Sequence, residues 1–310
     1  MTWLSIGRTS LTLTLLLLLQ PAAAERFFAT QVIEYANGPG VTPGEGFGLP
    51  ERILGGPRGA GDYQASLDVL SLGVGGSVTL AFGDALTDRF ITDAPGPDLI
   101  VFENPFYVGG DPHSVFAELV FVELSSDGQH FARLPNHSQV PGPVGPYEPI
   151  DPELVSGLAG LTPVYANVDT NQIDPFDPDQ AGGDAFDLAE LQTHPLVSAG
   201  LLDLARVRYV RLLDVLGDGT VLDTDGNPIY DPTGLLNSAD IDAVAVINGQ
   251  SRTPDLDQDG DVDLDDLSLF MLAFAGPGAA PADPRADLDD DGDVDLADFN
   301  RFALVFTGAN

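Results

Sequence analysis

Cysteine and lysine are both missing from this chain of 310 residues, and all twelve basic residues are arginine. Without cysteine there can be no disulfide bond, thiolate metal site or cysteine nucleophile, and without lysine there is no Schiff-base chemistry. The 48 acidic residues give a formal net charge of −36. Because such a surface repels polyanions, we expect neither nucleic acid nor anionic membranes among its partners.

Long apolar runs are almost absent as well. The most apolar stretch, residues 11–19, follows Arg8 and precedes Pro21-Ala22-Ala23-Ala24. A positive charge, a short apolar core and an A-x-A motif are typical of a secretory signal peptide, which we assign to residues 1–24. So short a run cannot cross a hydrocarbon core of ~30 Å as a helix. We therefore expect an exported protein, secreted or at the cell surface, without a membrane span.

Residues 25–250 show a β pattern, in which short apolar runs alternate with clusters of Gly, Pro and Asp. Many short strands separated by turn residues favour a β-sandwich or jelly roll. At residues 251–254 the composition changes from apolar to aspartate-rich, which predicts a hinge to a second, small domain at residues 251–310. The predicted strands are residues 29–35, 77–82, 98–103, 116–125, 206–215 and 241–248.

Two aspartate-rich segments of twelve residues, 255–266 and 287–298, repeat one pattern 32 residues apart. Carboxylates at positions 1, 3 and 5, glycine at position 6 and aspartates at positions 9 and 12 match the EF-hand calcium loop, in which position 7 contributes its backbone carbonyl. An amphipathic run follows each segment, with apolar residues at positions i, i+3, i+4 and i+7. These are Leu267, Phe270, Met271 and Phe274 after the first segment, and Phe299, Phe302, Ala303 and Phe306 after the second. The predicted ligands of two Ca²⁺ ions are Asp255, Asp257, Asp259, Asp261, Asp263 and Asp266 in the first loop, and Asp287, Asp289, Asp291, Asp293, Asp295 and Asp298 in the second.

The alternative to calcium loops is a solvated acidic linker. Each segment holds seven aspartates, which repel one another unless a cation or bound protons neutralise them. A linker would not repeat glycine at position 6 and valine at position 8 with a fixed spacing. Val262 and Val294, at position 8, are expected to pair the two loops with each other.

Two loop-and-helix units joined by a linker, residues 276–286, resemble a dockerin module. Dockerins bind cohesin modules, and in cellulosomal bacteria they are attached to polysaccharide-degrading enzymes. The positions that contact cohesin, often Ser or Thr in type I dockerins, are Leu264-Asp265 and Leu296-Ala297 here. The resemblance therefore implies calcium binding and a docking partner, cohesin-like or another surface protein, without specifying which.

Residues 121–131, with the sequence FVELSSDGQHF, resemble a strand–turn–strand motif of discoidin-like, galactose-binding-like jelly rolls. Residues 207–215 resemble a later strand of the same domains. Residues 96–104 and 240–246 resemble segments of bacterial cell-surface proteins of unassigned activity. The resemblance implies a jelly roll that binds carbohydrate or another ligand.

Catalytic motifs are not evident in the sequence. The four histidines lack H-E-x-x-H spacing, and there is no G-x-S-x-G elbow. A glycosidase needs two carboxyl groups facing one bond, but Glu118 and Glu123 lie on opposite faces of one predicted strand, and no partner is evident for Glu103. Two further loops, residues 169–179 and 223–227, are either additional calcium sites or ordinary Asp-rich turns.

We therefore expect an exported, non-catalytic protein in which a carbohydrate- or ligand-binding β-sandwich is joined to a small α-helical docking module that binds calcium. The alternative is a glycoside hydrolase that degrades polysaccharide, or a component of such an enzyme complex. A structural component of a surface layer is a third class. The alternative enzyme rests on where dockerins occur rather than on site chemistry.

Overall fold

The computed structural model describes residues 24–84, 87–234, 238–289 and 291–307. The predicted signal peptide lies outside these residues except for Ala24. The described part is mainly β, with many short antiparallel strands and three α-helices. No helix in it is long and apolar enough to span a bilayer.

The strands are β1 (Glu25–Phe28), β2 (Gln31–Ala36), β3 (Leu70–Ser71), β4 (Ser77–Ala81), β5 (Asp88–Ile91), β6 (Leu99–Phe102), β7 (Phe106–Tyr107), β8 (Val115–Phe116), β9 (Val120–Ser125), β10 (Ala132–Arg133), β11 (His137–Ser138), β12 (Val155–Ser156), β13 (Asp184–Phe186), β14 (Tyr209–Asp214), β15 (Asp218–Leu222), β16 (Pro228–Tyr230), β17 (Asp240–Ile241) and β18 (Ala243–Arg252). The helices are α1 (Pro195–Ser198), α2 (Leu264–Ala273) and α3 (Leu296–Val305). Short 3₁₀ helices lie at Gly46–Gly48, Pro50–Ile53, Val108–Gly110, Pro152–Leu154, Leu188–Leu191 and Pro284–Ala286.

Two five-stranded antiparallel sheets organise residues 25–252. In the first, the order is β1-β18-β6-β13, and β5 also pairs with β18. In the second, the order is β10-β9-β14-β4-β2. The long strand β18 joins the first sheet together, because its apolar first half pairs with β6 and β1 and its last four residues pair with β5.

One hydrophobic cluster takes side chains from both sheets. Val101 of β6 and Val244 of β18 belong to it, together with Leu80, Val122 and Leu212 of the second sheet. Strand β9 is buried along its whole length, since its other face is covered by a second cluster. Strand β9 is therefore an inner strand covered on both faces.

Two of the predicted boundaries are wrong. The predicted strand 116–125 is interrupted, because Val115 bridges to Ile150 whereas Val120 bridges to Ala159, and the chain between them leaves the sheet. The predicted hinge begins too early. Its first two residues, Ser251 and Arg252, belong to β18 and pair with β5.

The C-terminal segment contacts the sheets through a buried arginine. Arg206 donates to the backbone carbonyls of Asp289 at 2.6 Å and Leu288 at 3.2 Å. The same guanidinium lies 2.8 Å from the carboxylate of Asp88 in β5. The second acidic segment therefore contacts the sheets of residues 25–252, which we call the β-domain, at Leu288 and Asp289, near the end of strand β18.

Buried aspartates join the loops of the β-domain to its strands. Asp214, at the end of β14, accepts hydrogen bonds from the backbone N–H of Gly75 at 2.7 Å and of Ala239 at 2.8 Å. Asp98 and Asp242 accept backbone N–H donors from distant loops in the same way. Burial raises the pKa of Asp98 to about 6 and the pKa values of Asp214 and Asp242 to about 7.

We expect the metal-free protein to become more stable as the pH is lowered from about 8 to about 5. A carboxyl group whose pKa rises from 3.8 in the unfolded chain to about 7 in the fold binds its proton more tightly when folded. Its contribution to stability is present at low pH and is lost as the pH rises through the folded pKa. Falling net charge acts in the same direction. Thermal melts followed by far-UV circular dichroism measure this.

The variant Asp214→Asn should show a weaker dependence of melting temperature on pH, because it removes one of the groups that titrate. Asp179→Asn, at an exposed position, is the matched control and should keep the profile of the parent protein. A melting temperature that falls steadily from pH 8 to pH 5 would contradict the assignment.

Candidate metal centre

Both acidic segments end at a helix that their own aspartates cap. Asp263 accepts from the backbone N–H of Asp265 at 2.8 Å, and Asp266 accepts from the backbone N–H of Asp263 at 2.9 Å. These reciprocal contacts form a capping box that fixes the start of α2. The sequence therefore specifies the helix start locally, with the carboxylates at positions 9 and 12.

The carboxylate of Asp255 shapes the first half of its loop. It accepts from the backbone N–H of Asp259 at 3.2 Å and of Gly260 at 3.0 Å. Gly260 has φ of 101°, in the left-handed region that side chains disfavour. Gln258 also has a positive φ, the one non-glycine residue with this feature in the described part of the chain. The turn therefore needs glycine at position 6.

The carboxylate at position 12 reaches back to the beginning of the loop. Asp266, which is fully buried, accepts from the backbone N–H of Leu256 at 2.6 Å and of Asp257 at 3.1 Å. Together with its contact to Asp263, three backbone amides bind this one side chain. Asp266 therefore closes the loop and holds its two ends together.

The second loop repeats these contacts. Asp298 accepts from the backbone N–H of Leu288 at 2.6 Å, of Asp289 at 3.0 Å and of Asp295 at 2.8 Å. Asp287 accepts from two backbone amides, at 3.2 Å and 3.0 Å. The largest difference from the first loop is 0.1 Å, for example 3.1 Å against 3.0 Å at position 3. The repeat in sequence is thus a repeat in structure.

The carboxylate oxygens of the first loop converge in two groups. Asp255, Asp257 and Asp259 each offer an oxygen within 4.8 Å of the others, and so do Asp261, Asp263 and Asp266. Two oxygens on one Ca²⁺ ion lie at most about 5 Å apart, twice the usual bond length. The first group consists of the carboxylates that the sequence predicts as ligands at positions 1, 3 and 5. In the second group Asp261, at position 7, offers a side-chain oxygen, whereas the calcium-loop pattern assigns this position a backbone carbonyl.

Two oxygens in the second loop are buried and have no hydrogen-bond donor among the residues that the structure describes. They are Oδ1 of Asp289 and Oδ1 of Asp293. Burial and the charges of Asp298 and Asp291 raise the pKa of Asp289. A buried carboxylate oxygen without a donor or a cation costs free energy. These residues therefore fit a hard divalent cation, which binds oxygen ligands of this kind.

The expected pairing of Val262 with Val294 is wrong, since no backbone bridge joins these two described residues. The carbonyl of Val262 instead accepts from the N–H of Thr307 at 2.9 Å, after α3. The carbonyl of Val294 accepts from the N–H groups of Ala275 and Gly276, both at 3.0 Å, after α2. Each loop is therefore closed by the chain that follows the other loop's helix.

The two helices share an aromatic core and leave part of their apolar surface exposed. Phe270 and Phe302 are buried, with ring centroids 5.3 Å apart. The predicted apolar faces are correct at these positions, but Met271 and Ala303 are exposed. The buried stripe is therefore narrower than the periodicity indicates.

The other two Asp-rich loops behave mainly as turns. Asp223 accepts from the N–H groups of Asp225 and Asn227 within its own turn, although His137, Asp223 and Asp225 lie within metal-binding distance of one another. In the loop at residues 169–179, Asp169 and Asp174 form ion pairs with arginines at 2.8 Å and 2.9 Å. These carboxylates thus have partners within the fold, and additional calcium sites in the two loops stay a prediction.

The fold also brings together carboxyl groups that the sequence left apart. Glu103, Glu118 and Asp240 line one cavity of about 190 Å³ in the β-domain. The signal in the sequence is an acidic residue inside or directly after an apolar strand, as in the segments LIVFE and FAELVF. This pattern indicates that the acidic side chain is buried, but it does not indicate which acidic side chains lie close together.

The two loops are thus described by their own contacts: a carboxylate at position 1, glycine at position 6 and a buried carboxylate at position 12. The two loops make equivalent contacts, so the geometry of each loop supports the interpretation of the other. No protein family, curated protein or solved structure matches this chain.

Proposed function

We propose that this is an exported protein whose C-terminal module, residues 251–310, folds around two Ca²⁺ ions and docks onto a partner protein. The observation that carries the proposal is the duplicated carboxylate–amide network, in which Asp266 and Asp298 each bind three backbone amides. In a solvated linker we would not expect the same hydrogen bonds to recur in both segments with distances that agree within 0.1 Å. Asp289 and Asp293 each have a buried carboxylate oxygen that accepts no hydrogen bond from the described residues, and a bound cation would stabilise these oxygens.

Calcium is the cation that these ligands suit best. The loops contain no histidine and the chain no cysteine, so ligands for softer transition metals are missing. Mg²⁺ is smaller, requires near-octahedral geometry and keeps several waters, whereas Ca²⁺ accepts six to eight oxygens in a flexible arrangement. Predicted export also places the module outside the cytoplasm, where calcium is plentiful.

Docking is supported by leucines exposed at equivalent places in the two repeats. Leu264 and Leu296, at position 10 of their loops, are 51% and 67% exposed. Leu272 and Leu304, near the ends of the two helices, are 77% and 85% exposed. Contiguous exposed apolar patches mark protein-contact surfaces, and we propose that these leucines contribute to such a surface. The partner, cohesin-like or another surface protein, would then contact the exposed leucines of one repeat or the other through apolar side chains of its own.

For residues 25–250 we propose a β-sandwich of the jelly-roll type that binds a ligand, such as carbohydrate, without catalysis. The shared hydrophobic cluster between the two five-stranded sheets supports the sandwich. The alternative, a glycoside hydrolase, has one observation in its favour, because Glu103 and Glu118 line a common cavity. A cavity of about 190 Å³ is small for a polysaccharide chain, which makes the hydrolase the weaker proposal.

Removing calcium should open the C-terminal module to trypsin. The enzyme can cut this chain only after arginine, and the module contains Arg252, Arg285 and Arg301. Arg252 belongs to strand β18, so Arg285 and Arg301 report on the loops and their helices. Because the free energy of metal binding is also folding free energy, we expect chelator to speed cleavage at these two residues at least tenfold. Mass spectrometry of the products identifies the sites. Arg58, in the β-domain, is the internal control and should be cut at the same rate with and without calcium.

Magnesium at the same concentration should protect the module poorly. If Arg285 and Arg301 resist trypsin equally in calcium and in chelator, the module folds without metal and the proposal fails.

The variants Asp255→Ala and Asp265→Ala should differ sharply in calcium affinity. Asp255 offers a ligand oxygen and holds two backbone amides, so its loss should weaken binding at least tenfold, about 1.4 kcal/mol. Asp265 is exposed and lies outside the ligand positions, so its loss should change affinity little. Isothermal titration calorimetry of both variants measures this.

Asp255→Ala should also weaken binding at the second loop, because Val262 and Val294 close the loops reciprocally. Equal losses for Asp255→Ala and Asp265→Ala would mean that calcium is attracted by diffuse charge rather than held by ligand position.

A further inference from the structure

The cavity of about 190 Å³ in the β-domain has an unusual lining. Glu103 follows β6, Glu118 lies in the break between β8 and β9, and Asp240 belongs to β17. Aromatic rings of Phe106, Phe116 and Tyr147 form most of the remaining wall. The cavity is far in sequence from the two acidic loops and belongs to a different part of the fold.

Glu103 is the buried group that points to a ligand. Its side chain is 1% exposed, and its Oε1 atom accepts from the backbone N–H of Asp240 at 2.9 Å. Its Oε2 atom is buried and has no hydrogen-bond donor among the described residues. A buried acceptor without a donor is costly, so a ligand that donates a hydrogen bond or carries positive charge would stabilise it.

Glu123, on strand β9, shows how the protein offsets a buried carboxylate elsewhere. Glu123 is also buried, but Arg133 at 2.9 Å and Arg211 at 2.5 Å neutralise it. In the described part of the chain, no arginine or histidine forms an ion pair with Glu103, Glu118 or Asp240. Three acids therefore share one cavity with no cation from the protein.

Burial and mutual repulsion favour the protonated forms of these acids. Burial, followed by the charge of Glu103, raises the pKa of Glu118 to about 11, and burial raises the pKa of Asp240 to about 6. Asp214, Asp231 and Asp184 face the same cluster and add further negative charge. A cation that enters the cavity would replace protons on these carboxyl groups.

The aromatic wall favours an organic cation over a metal ion. Phe106 and Phe116 stack with centroids 5.3 Å apart, and Tyr147, 83% exposed, stands at the opening. Aromatic faces attract ammonium groups, and this attraction grows when the cation is desolvated. Ca²⁺ needs six to eight oxygens at 2.3–2.6 Å. The three carboxyl groups hold six oxygens, and one of these, Oε1 of Glu103, already accepts a backbone N–H, so the carboxyl oxygens fall short of a calcium shell.

We propose that this cavity binds a small organic cation, an ammonium group on a body that fits about 190 Å³, between the carboxyl groups of Glu103, Glu118 and Asp240 and the rings of Phe106, Phe116 and Tyr147. The carboxylates bind the charge, and the rings cover the carbon substituents. The site is independent of calcium binding by the C-terminal module.

Calorimetric titration of the whole protein, saturated with calcium, tests the proposal with choline as the probe. Its uncharged carbon analogue 3,3-dimethyl-1-butanol has nearly the same shape and is the matched control. We expect choline to bind at least tenfold more tightly than the analogue and to release protons, measured in two buffers of different ionisation enthalpy. Affinity for choline should rise with pH.

Three variants locate the site. Glu118→Gln keeps the size of the side chain and should weaken choline binding at least tenfold, and Tyr147→Ala should weaken it roughly two- to fivefold, as expected for a cation–π contact at an exposed ring. Glu34→Gln removes the same charge at an exposed position of β2 and should have no effect. Unchanged circular dichroism and calcium binding confirm that each variant is folded.

Equal affinity for choline and its uncharged analogue overturns the proposal, because the cavity would then be an apolar pocket. Absence of choline binding at millimolar concentration overturns it too. Binding of galactose or glucose without proton release, or displacement of choline by additional Ca²⁺, would assign the cavity to a sugar or to a metal instead.

Discussion

Backbone N–H groups donate to buried aspartate carboxylates throughout this protein, and both of its parts depend on that contact. In the β-domain, Asp214 joins the loop at Gly75 to the segment at Ala239. In the C-terminal module, Asp266 and Asp298 each join the first residues of a loop to its last. A carboxylate can accept several amides at once, which suits irregular chain that has no strand partner. Loops that lack disulfides are held in this way.

The same contact creates an excess of buried negative charge, and the chain has few arginines to offset it. Arginine neutralises Glu123 and Asp88. A bound proton suits Asp214, whose pKa burial raises to about 7. Elsewhere, we propose that bound cations offset the buried negative charge. These are divalent cations in the two loops and an ammonium ion in the cavity lined by Glu103. The expected dependence on pH and the proposed dependence on calcium and on an organic cation thus have one electrostatic origin.

Reciprocal closure makes the C-terminal module a single unit rather than two copies of a loop. Val262 accepts from the chain after α3, and Val294 accepts from the chain after α2. Phe270 and Phe302 meet in the core between the helices. Neither loop can complete its backbone hydrogen bonds without the other. The proposed calcium binding should therefore be cooperative.

The acidic loops could be predicted because their contacts are local. Asp255 and Asp266 are eleven residues apart, and the carboxylate–amide contacts of the loop lie between them, as does Gly260 with its positive φ. The β character of residues 25–250 was predictable for a similar reason, since apolar runs and turn residues report on the chain nearby. Local signals did not show where the strand at 116–125 breaks, because that depends on the different partners of Val115 and Val120.

Tertiary structure alone decided which distant residues meet. Glu103 and Asp240 are 137 residues apart, and their contact exists because β18, which follows Asp240, pairs with β6, which precedes Glu103. Strand pairing over such separations is selected by the packing of whole sheets and not by any short motif. Glu118 joins them because the chain leaves the sheet just before β9. The sequence by itself determined the composition, the acidic loops and the β class, whereas the cavity with its three acids required the fold.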